Sequence, residues 1–169
     1  MIVAAYVCFL FLSLALVLAV FAWYTRGTVR RIEEALPPLG RMIEVDGQRL
    51  HVRDQGSGPA LVLLHGLGGQ MRHFDFGAMA DLRLGYRVIG VDRPGSGYSR
   101  RANGQPADLA AQARTVAALI LQLGLERPTV VGHSLGGAVA LQLALDHPQA
   151  VGALALIAPL SHVPERVPA

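Results

Sequence analysis

Cysteine is almost absent from this chain: Cys8 is its only one, and it lies inside an apolar stretch. Disulfides within the chain and cysteine-based metal sites are thereby excluded, and the redox compartment stays open. Charge is also sparse, at 16% of residues with a net charge of +3. The arginines are scattered or follow the apolar N-terminus, and they build no basic face interleaved with aromatics, so the composition carries no nucleic-acid signal. From Ile2 to Tyr24 charge is missing altogether.

As a helix, Ile2 to Tyr24 spans about 34 Å, enough for a hydrocarbon core of about 30 Å. The competing reading is a cleaved signal peptide, with Val20-Phe21-Ala22 as the cleavage site. Against it, the apolar run exceeds the usual h-region of about 7–15 residues and no Lys or Arg precedes it. Phe21, Trp23 and Tyr24 then stand where an interfacial aromatic belt belongs, followed by Arg26, Arg30 and Arg31, which places the globular part in the cytoplasm. Thr25 to Gly40, closed by Pro37-Pro38, reads as a juxtamembrane helix or tether. The expected organisation is a transmembrane anchor over residues 1–25, a tether over 26–40 and one domain over 41–169.

Arg41 to Val45 and Arg49 to Arg53, joined by Asp46-Gly47-Gln48, alternate as a hairpin does, with His51 on the polar side as a surface strand residue. Ala60 to Leu64 is too uniformly apolar for a half-exposed strand and reads as a central parallel one. Tyr86 to Val91 and Val151 to Ile157 read as further buried strands. Between them the spacing predicts helices over Met71 to Leu84, Ala107 to Leu123 and Ala138 to Leu145. This rhythm argues for an α/β fold, a mostly parallel sheet with helices on both faces.

The centre of the sequence is Gly132-His133-Ser134-Leu135-Gly136, between the strand ending at Val131 and the helix that follows. A serine hydroxyl is a poor nucleophile unless it stands clear of the sheet, near a base, with backbone N–H groups aimed at the developing oxyanion. A sharp strand-to-helix turn does this. It strains Ser134 and leaves no room for a side chain at 132 or 136. Upstream, His65-Gly66-Leu67-Gly68-Gly69 follows one buried strand, and Asp92-Arg93-Pro94-Gly95-Ser96-Gly97-Tyr98-Ser99 follows another. A dinucleotide reading of the first loop fails, because Met71 stands where a third glycine belongs and no Lys follows as in a P-loop.

Taken in order over about residues 41 to 160, these motifs resemble the α/β-hydrolase superfamily, with Ser134 at its nucleophile elbow. The resemblance implies Ser134 as nucleophile, the backbone amides of Leu67 and Leu135 as the oxyanion hole, and a small-molecule acyl or ester substrate. It implies no cofactor and no metal. It makes Asp92 a brace for its loop rather than the triad acid, gives His65 a structural role, and leaves His73 to line the pocket or cap its helix. Thioester, amide and carbon–carbon cleavage and perhydrolysis share these motifs. Epoxide hydrolases and haloalkane dehalogenases that resemble this fold use an aspartate at position 134, so the serine disfavours them.

In that family the triad acid and base follow the nucleophile in chain order. Downstream of Ser134 the candidates are Asp146, His147, His162 and Glu165. Asp146 and His147 close the elbow helix, at the end away from the nucleophile. His162 follows a strand end on the correct edge of the sheet, where the family normally begins its cap. The sequence is therefore similar to the N-terminal portion of a serine hydrolase without cap, acid or base, expected as a fragment or truncated frame and inactive by itself. The alternative is a non-catalytic, membrane-tethered hydrolase-like domain that binds an acyl compound or a protein. A later Asp and His in the intact gene would favour the enzyme. Oligomeric state is not legible.

Overall fold

The computed structural model describes residues 2–76 and 81–161 and divides the chain into two compact units, Met1–Pro38 and Leu39–Ala169. In the first, helix α1 (Ile2–Ala35) runs without a break through the arginines after the apolar stretch, and none of its residues is buried. Ser13 returns its hydroxyl to Phe9 O at 2.8 Å, so the one serine of the span leaves no free donor along it. Among the described residues this is the one helix long and apolar enough to cross a membrane.

The second unit is built on a six-stranded sheet in the order β1-β2-β4-β3-β5-β6. Its strands are β1 (Arg41–Val45), β2 (Gln48–Gln55), β3 (Ala60–Leu64), β4 (Arg87–Val91), β5 (Thr129–His133) and β6 (Ala153–Ile157). β1 with β2 and β2 with β4 are antiparallel, whereas β4 with β3, β3 with β5 and β5 with β6 are parallel. The hairpin turn is shorter than expected: Val45 pairs with Gln48, leaving Asp46 and Gly47 as the loop, at φ 50° and 71°. That backbone twist matches the strands it joins.

Two helices cover one face. In α2 (Leu109–Gln122), Ala113, Val116, Leu119 and Ile120 meet Val62, Ile89 and Val130 of the sheet; in α3 (Leu135–Asp146), Val139, Ala140 and Leu143 join the same cluster. Asp108 starts α2, its carboxylate accepting from Ala111 N at 2.8 Å. A cap of this kind contributes about 1 kcal/mol. On the opposite face Leu61, Leu63 and Val131 pack with Phe74 and Leu82, from the connection between β3 and β4. The expected helix over Met71 to Leu84 is seen as 3-10 turns at Met71–Phe74 and Leu82–Leu84, with residues 77–80 outside the described part.

β6 departs from expectation. The apolar run predicts a buried strand, yet Leu156 and Ile157 are 38% and 43% exposed, because among the described strands β6 pairs with β5 alone, and only Leu154 of the strand packs against the core on the helix-covered face. The consequence for the site is topological. The connection after β3 leads to β4 on one side, and the connection after β4 returns past β3 to β5 on the other. In an open α/β sheet the crevice at the carboxyl ends of strands around such a reversal is where ligands bind. Leu64 pairs with Gly132, so the turns after β3 and β5 emerge side by side there.

Candidate active site

Ser134 sits at the carboxyl end of β5, beside the end of β3, at φ 51° and ψ −117°, a conformation L-residues rarely adopt. Such a residue stores roughly 1–3 kcal/mol of strain, so its surroundings must hold it. They do so through the backbone. Ser134 N donates to Ile157 O at 3.0 Å, while Ser134 O accepts from Gly137 N at 2.9 Å and Leu160 N at 2.9 Å. Space accounts for the flanking glycines: a Cβ at Gly136 would lie 2.1 Å from Leu64 O, and one at Gly132 would lie 2.6 Å from Gly136 O. The turn thus packs directly on the end of β3.

The loop after β3 runs beside the serine. A Cβ on Gly66 would stand 3.1 Å from Ser134 Cβ and 3.1 Å from His133 Nδ1. Leu67 follows, with its side chain 83% exposed. Among the described residues neither the Leu67 amide nor the Leu135 amide donates to a protein acceptor, and Ser134 Oγ makes no hydrogen bond. His73 is exposed on the 3-10 turn, and a Cβ on Gly69 would lie 2.9 Å from its Nδ1; the N-cap of that turn is Gln70, not His73.

Two histidines near the loops, His65 and His51, are held by hydrogen bonds at both ring nitrogens. His65 is fully buried; its Nδ1 lies 2.8 Å from Gly66 O, and its Nε2 accepts from Arg93 N at 3.0 Å. The carbonyl requires a proton on Nδ1 and the amide requires a lone pair on Nε2, so the ring is the neutral Nδ1–H tautomer. Burial lowers its pKa to about 4; the bond to Gly66 O opposes that shift, and the Arg93 charge adds to it. Both nitrogens are occupied, which agrees with a structural His65.

His51 is a correction. Read as a surface residue, it is 3% exposed: Nδ1 lies 2.8 Å from Asp92 Oδ2, and Nε2 accepts from Gly40 N at 3.1 Å. Its ring also meets Tyr98 edge to face at 5.3 Å. The Asp92–Ser99 loop folds over this part of β2, so strand alternation does not reach solvent there. Asp92, also fully buried, accepts from Met71 N at 2.7 Å, Tyr98 N at 3.0 Å and the His51 ring. It braces its loop, as the resemblance implied. A Cβ at Gly97 would lie 2.2 Å from Asp92 Oδ2.

Sequence reasoning passed over Arg93, which is 3% exposed. Nε donates to His65 O at 2.8 Å, Nη2 to Gly66 O at 3.0 Å and Nη1 to Gln112 Oε1 at 2.6 Å. The available signal was a charged residue between Asp92 and Pro94, at the end of a buried strand. Asp146 is far from this cluster: both its oxygens accept from Gln142 at the distal end of α3, and His147 caps that helix. A concavity of about 460 Å³, lined by Ala117, Leu121, Leu125 and His147, lies at that distal end and holds no nucleophile. His162 and Glu165 fall outside the described residues.

Residues 59–168 match the family described as the alpha/beta hydrolase fold, and the chain belongs to it. It is 38% identical over 132 residues to an uncharacterised Mycobacterium tuberculosis protein, covering 78% of this chain and 38% of that one. A 2-hydroxy-6-oxononadienedioate/2-hydroxy-6-oxononatrienedioate hydrolase of Burkholderia vietnamiensis is 41% identical over 138 residues, 77% of this chain and 47% of its own. An esterase from Exiguobacterium antarcticum superposes with a TM-score of 0.64 at 34% identity, over 73% of this chain and 46% of that structure. The chain therefore spans about two fifths of the length of the curated mycobacterial relative it matches.

Proposed function

We propose that this chain supplies the nucleophile and oxyanion hole of a serine hydrolase acting on an ester-type bond of a small acyl substrate, tethered to a membrane by α1 with its domain on the cytoplasmic side. The observation that carries the reading is Ser134 on a φ 51° turn, beside two backbone amides with no acceptor among the described residues. In this reading Ser134 Oγ attacks the acyl carbon and its proton passes to a histidine base. The carbonyl oxygen takes up the negative charge and is held by the amides of Leu67 and Leu135. Collapse expels the alcohol with that proton and leaves an acyl-serine, which water then hydrolyses by the reverse proton path.

The base and its orienting carboxylate come, in this reading, from outside the described residues. His51 and His65 have both ring nitrogens engaged, His147 lies at the far end of α3, and neither His73 nor His133 hydrogen-bonds Ser134 Oγ among the described residues. A second reading, a binding domain without turnover, draws on the absence of any described hydrogen bond to Ser134 Oγ. The uncharged span and the three arginines after it support the tether and its orientation. A fluorophosphonate probe separates the readings: the full chain in membranes is labelled slowly at Ser134 and Ser134→Ala is not. Equal labelling of both rejects the nucleophile.

A further inference from the structure

The peptide unit between Gly66 and Leu67 is held from one side by an unusual set of donors. Gly66 O accepts from His65 Nδ1 at 2.8 Å, from Arg93 Nη2 at 3.0 Å and from Gly69 N at 3.2 Å. Arg93 also grips the preceding carbonyl, His65 O, at 2.8 Å, and is itself tied to α2 through Gln112, whose Nε2 donates to Ala107 O at 2.8 Å. Among the described residues no peptide bond is cis. In a trans peptide the C=O and N–H point in opposite directions, so fixing Gly66 O fixes the Leu67 N–H on the other side of the plane. That N–H has no acceptor among the described residues.

Charge sharpens the point. Arg93 is 3% exposed, and its three acceptors are two carbonyls and an amide oxygen; none is a carboxylate. The neighbouring Asp92 spends its oxygens on His51, Met71 N and Tyr98 N. A guanidinium remains charged even when buried, and a buried cation on a carbonyl oxygen draws electron density through the amide. The N–H on the far side becomes a stronger donor. Neutral donors would suffice to link the two loops; Arg93 instead brings a buried cation, whose desolvation is offset by three hydrogen bonds and whose field acts on the Gly66–Leu67 peptide.

We propose that Arg93 is a positioning residue for the oxyanion hole: through Gly66 O it orients the Leu67 amide and polarises it toward a developing negative charge beside Ser134. This rests on the nucleophile reading for its catalytic consequence, but the effect on the Leu67 peptide stands apart from it.

The test exploits an accident of sequence. Gly-Leu occurs only at Gly66-Leu67 and Gly124-Leu125, so carbonyl-¹³C glycine with ¹⁵N leucine gives two carbonyl-correlated amide signals in the full chain in detergent micelles. Leu125, whose amide donates to Ile120 O at 3.0 Å in the turn after α2, is the internal reference. Arg93→Gln should move the Gly66 carbonyl and Leu67 amide signals upfield and leave Leu125 in place, with Arg93→Lys between the two. Phosphonylation of Ser134 should fall on the order of 10-fold or more in Arg93→Gln and recover in part in Arg93→Lys. A Leu67 signal unmoved in a chain whose Leu125 signal is native overturns the inference, whatever Ser134 does. If Arg93→Gln loses the Leu125 signal, Arg93→Lys alone decides, by the same displacement or its absence. A displaced Leu67 signal with no Ser134-dependent labelling in the wild type keeps the Arg93 role and rejects the nucleophile.

Discussion

His51 and Asp92, 41 residues apart in sequence, meet at 2.8 Å with 3% and 0% of their side chains exposed, and between them they join β2, the Asp92–Ser99 loop and the chain just before β1. Removing the imidazole strands two polar groups at once: Asp92 loses one of its three donors, and Gly40 N loses its acceptor. His51→Leu is therefore expected to cost about 3 kcal/mol, seen as a lower urea midpoint at unchanged m-value. A shift equivalent to less than about 1 kcal/mol would mean that water replaces both bonds.

This pair also shows where local pattern stops being informative. β3 and the strand of the elbow are legible because their apolar runs state burial on both faces, and the elbow is legible because a glycine-flanked serine between a strand and a helix is itself a local pattern, although one of its glycines, Gly136, answers to the distant Leu64 O. His51 is not legible. Its alternation in β2 is that of a half-exposed strand, and the Asp92–Ser99 loop that covers it closes over a long sequence separation, with Ser99 Oγ accepting from His51 N at 2.8 Å. Arg93 escaped notice for the same reason: its meaning lies in two carbonyls at the end of another strand. β6 failed in the opposite sense, since its composition suits burial and its exposure is decided by neighbours.

His65 makes stability depend on pH. Its folded pKa is lowered to about 4, from an ordinary value near 6.5, so between these values the unfolded chain binds the extra proton. The contribution is fully present above the unfolded pKa and is lost as pH falls toward the folded one. Integrated over this window the loss is about 3 kcal/mol. Urea midpoints of the full chain should fall from pH 7.5 to pH 4.5, and the fall should be smaller in His65→Gln, which can still donate to Gly66 O and accept from Arg93 N. Parallel curves for the two proteins would assign the dependence to other groups.

Gly95 and Gly97 separate backbone strain from collision. Both have positive φ, 79° and 53°, but a Cβ at Gly95 meets nothing nearer than Arg101 at 3.8 Å, whereas one at Gly97 would lie 2.2 Å from Asp92 Oδ2. Gly95→Ala should cost about 1 kcal/mol, the left-handed penalty alone. Gly97→Ala adds displacement of a buried carboxylate that anchors three donors and should cost about 3 kcal/mol or more. Equal thermal shifts for the two variants would show that the loop yields without disturbing Asp92.

Orientation of α1 is tested by a fluorescent reporter that matures only in the cytoplasm, fused to the C-terminus in a bacterial host. Arg26, Arg30 and Arg31 after the uncharged span predict a fluorescent, membrane-bound fusion. Dark fusions at normal abundance would reverse the orientation, and a shortened soluble product would show α1 to be a cleaved leader.

The last expectation concerns turnover by the 169-residue chain itself. Attack by Ser134 needs its proton removed as the bond forms, and a serine hydroxyl left to itself is far too weak an acid for that at neutral pH. The buried histidines are committed, His51 to Asp92 and Gly40 N, His65 to Gly66 O and Arg93 N. His147 belongs to the distal end of α3. With neither His73 nor His133 hydrogen-bonded to Ser134 Oγ among the described residues, the expected catalysis is that of the oxyanion hole, which in triad-deleted serine enzymes still gives roughly 10³- to 10⁴-fold acceleration over water. Hydrolysis of p-nitrophenyl acetate by the chain in micelles should therefore be slow, and Ser134→Ala should change it by less than about 10-fold. Robust turnover that disappears in Ser134→Ala would place a working base within this chain. Replacing His73, His133 and His162 one at a time would then identify it, because these are the histidines not held in the pairings above.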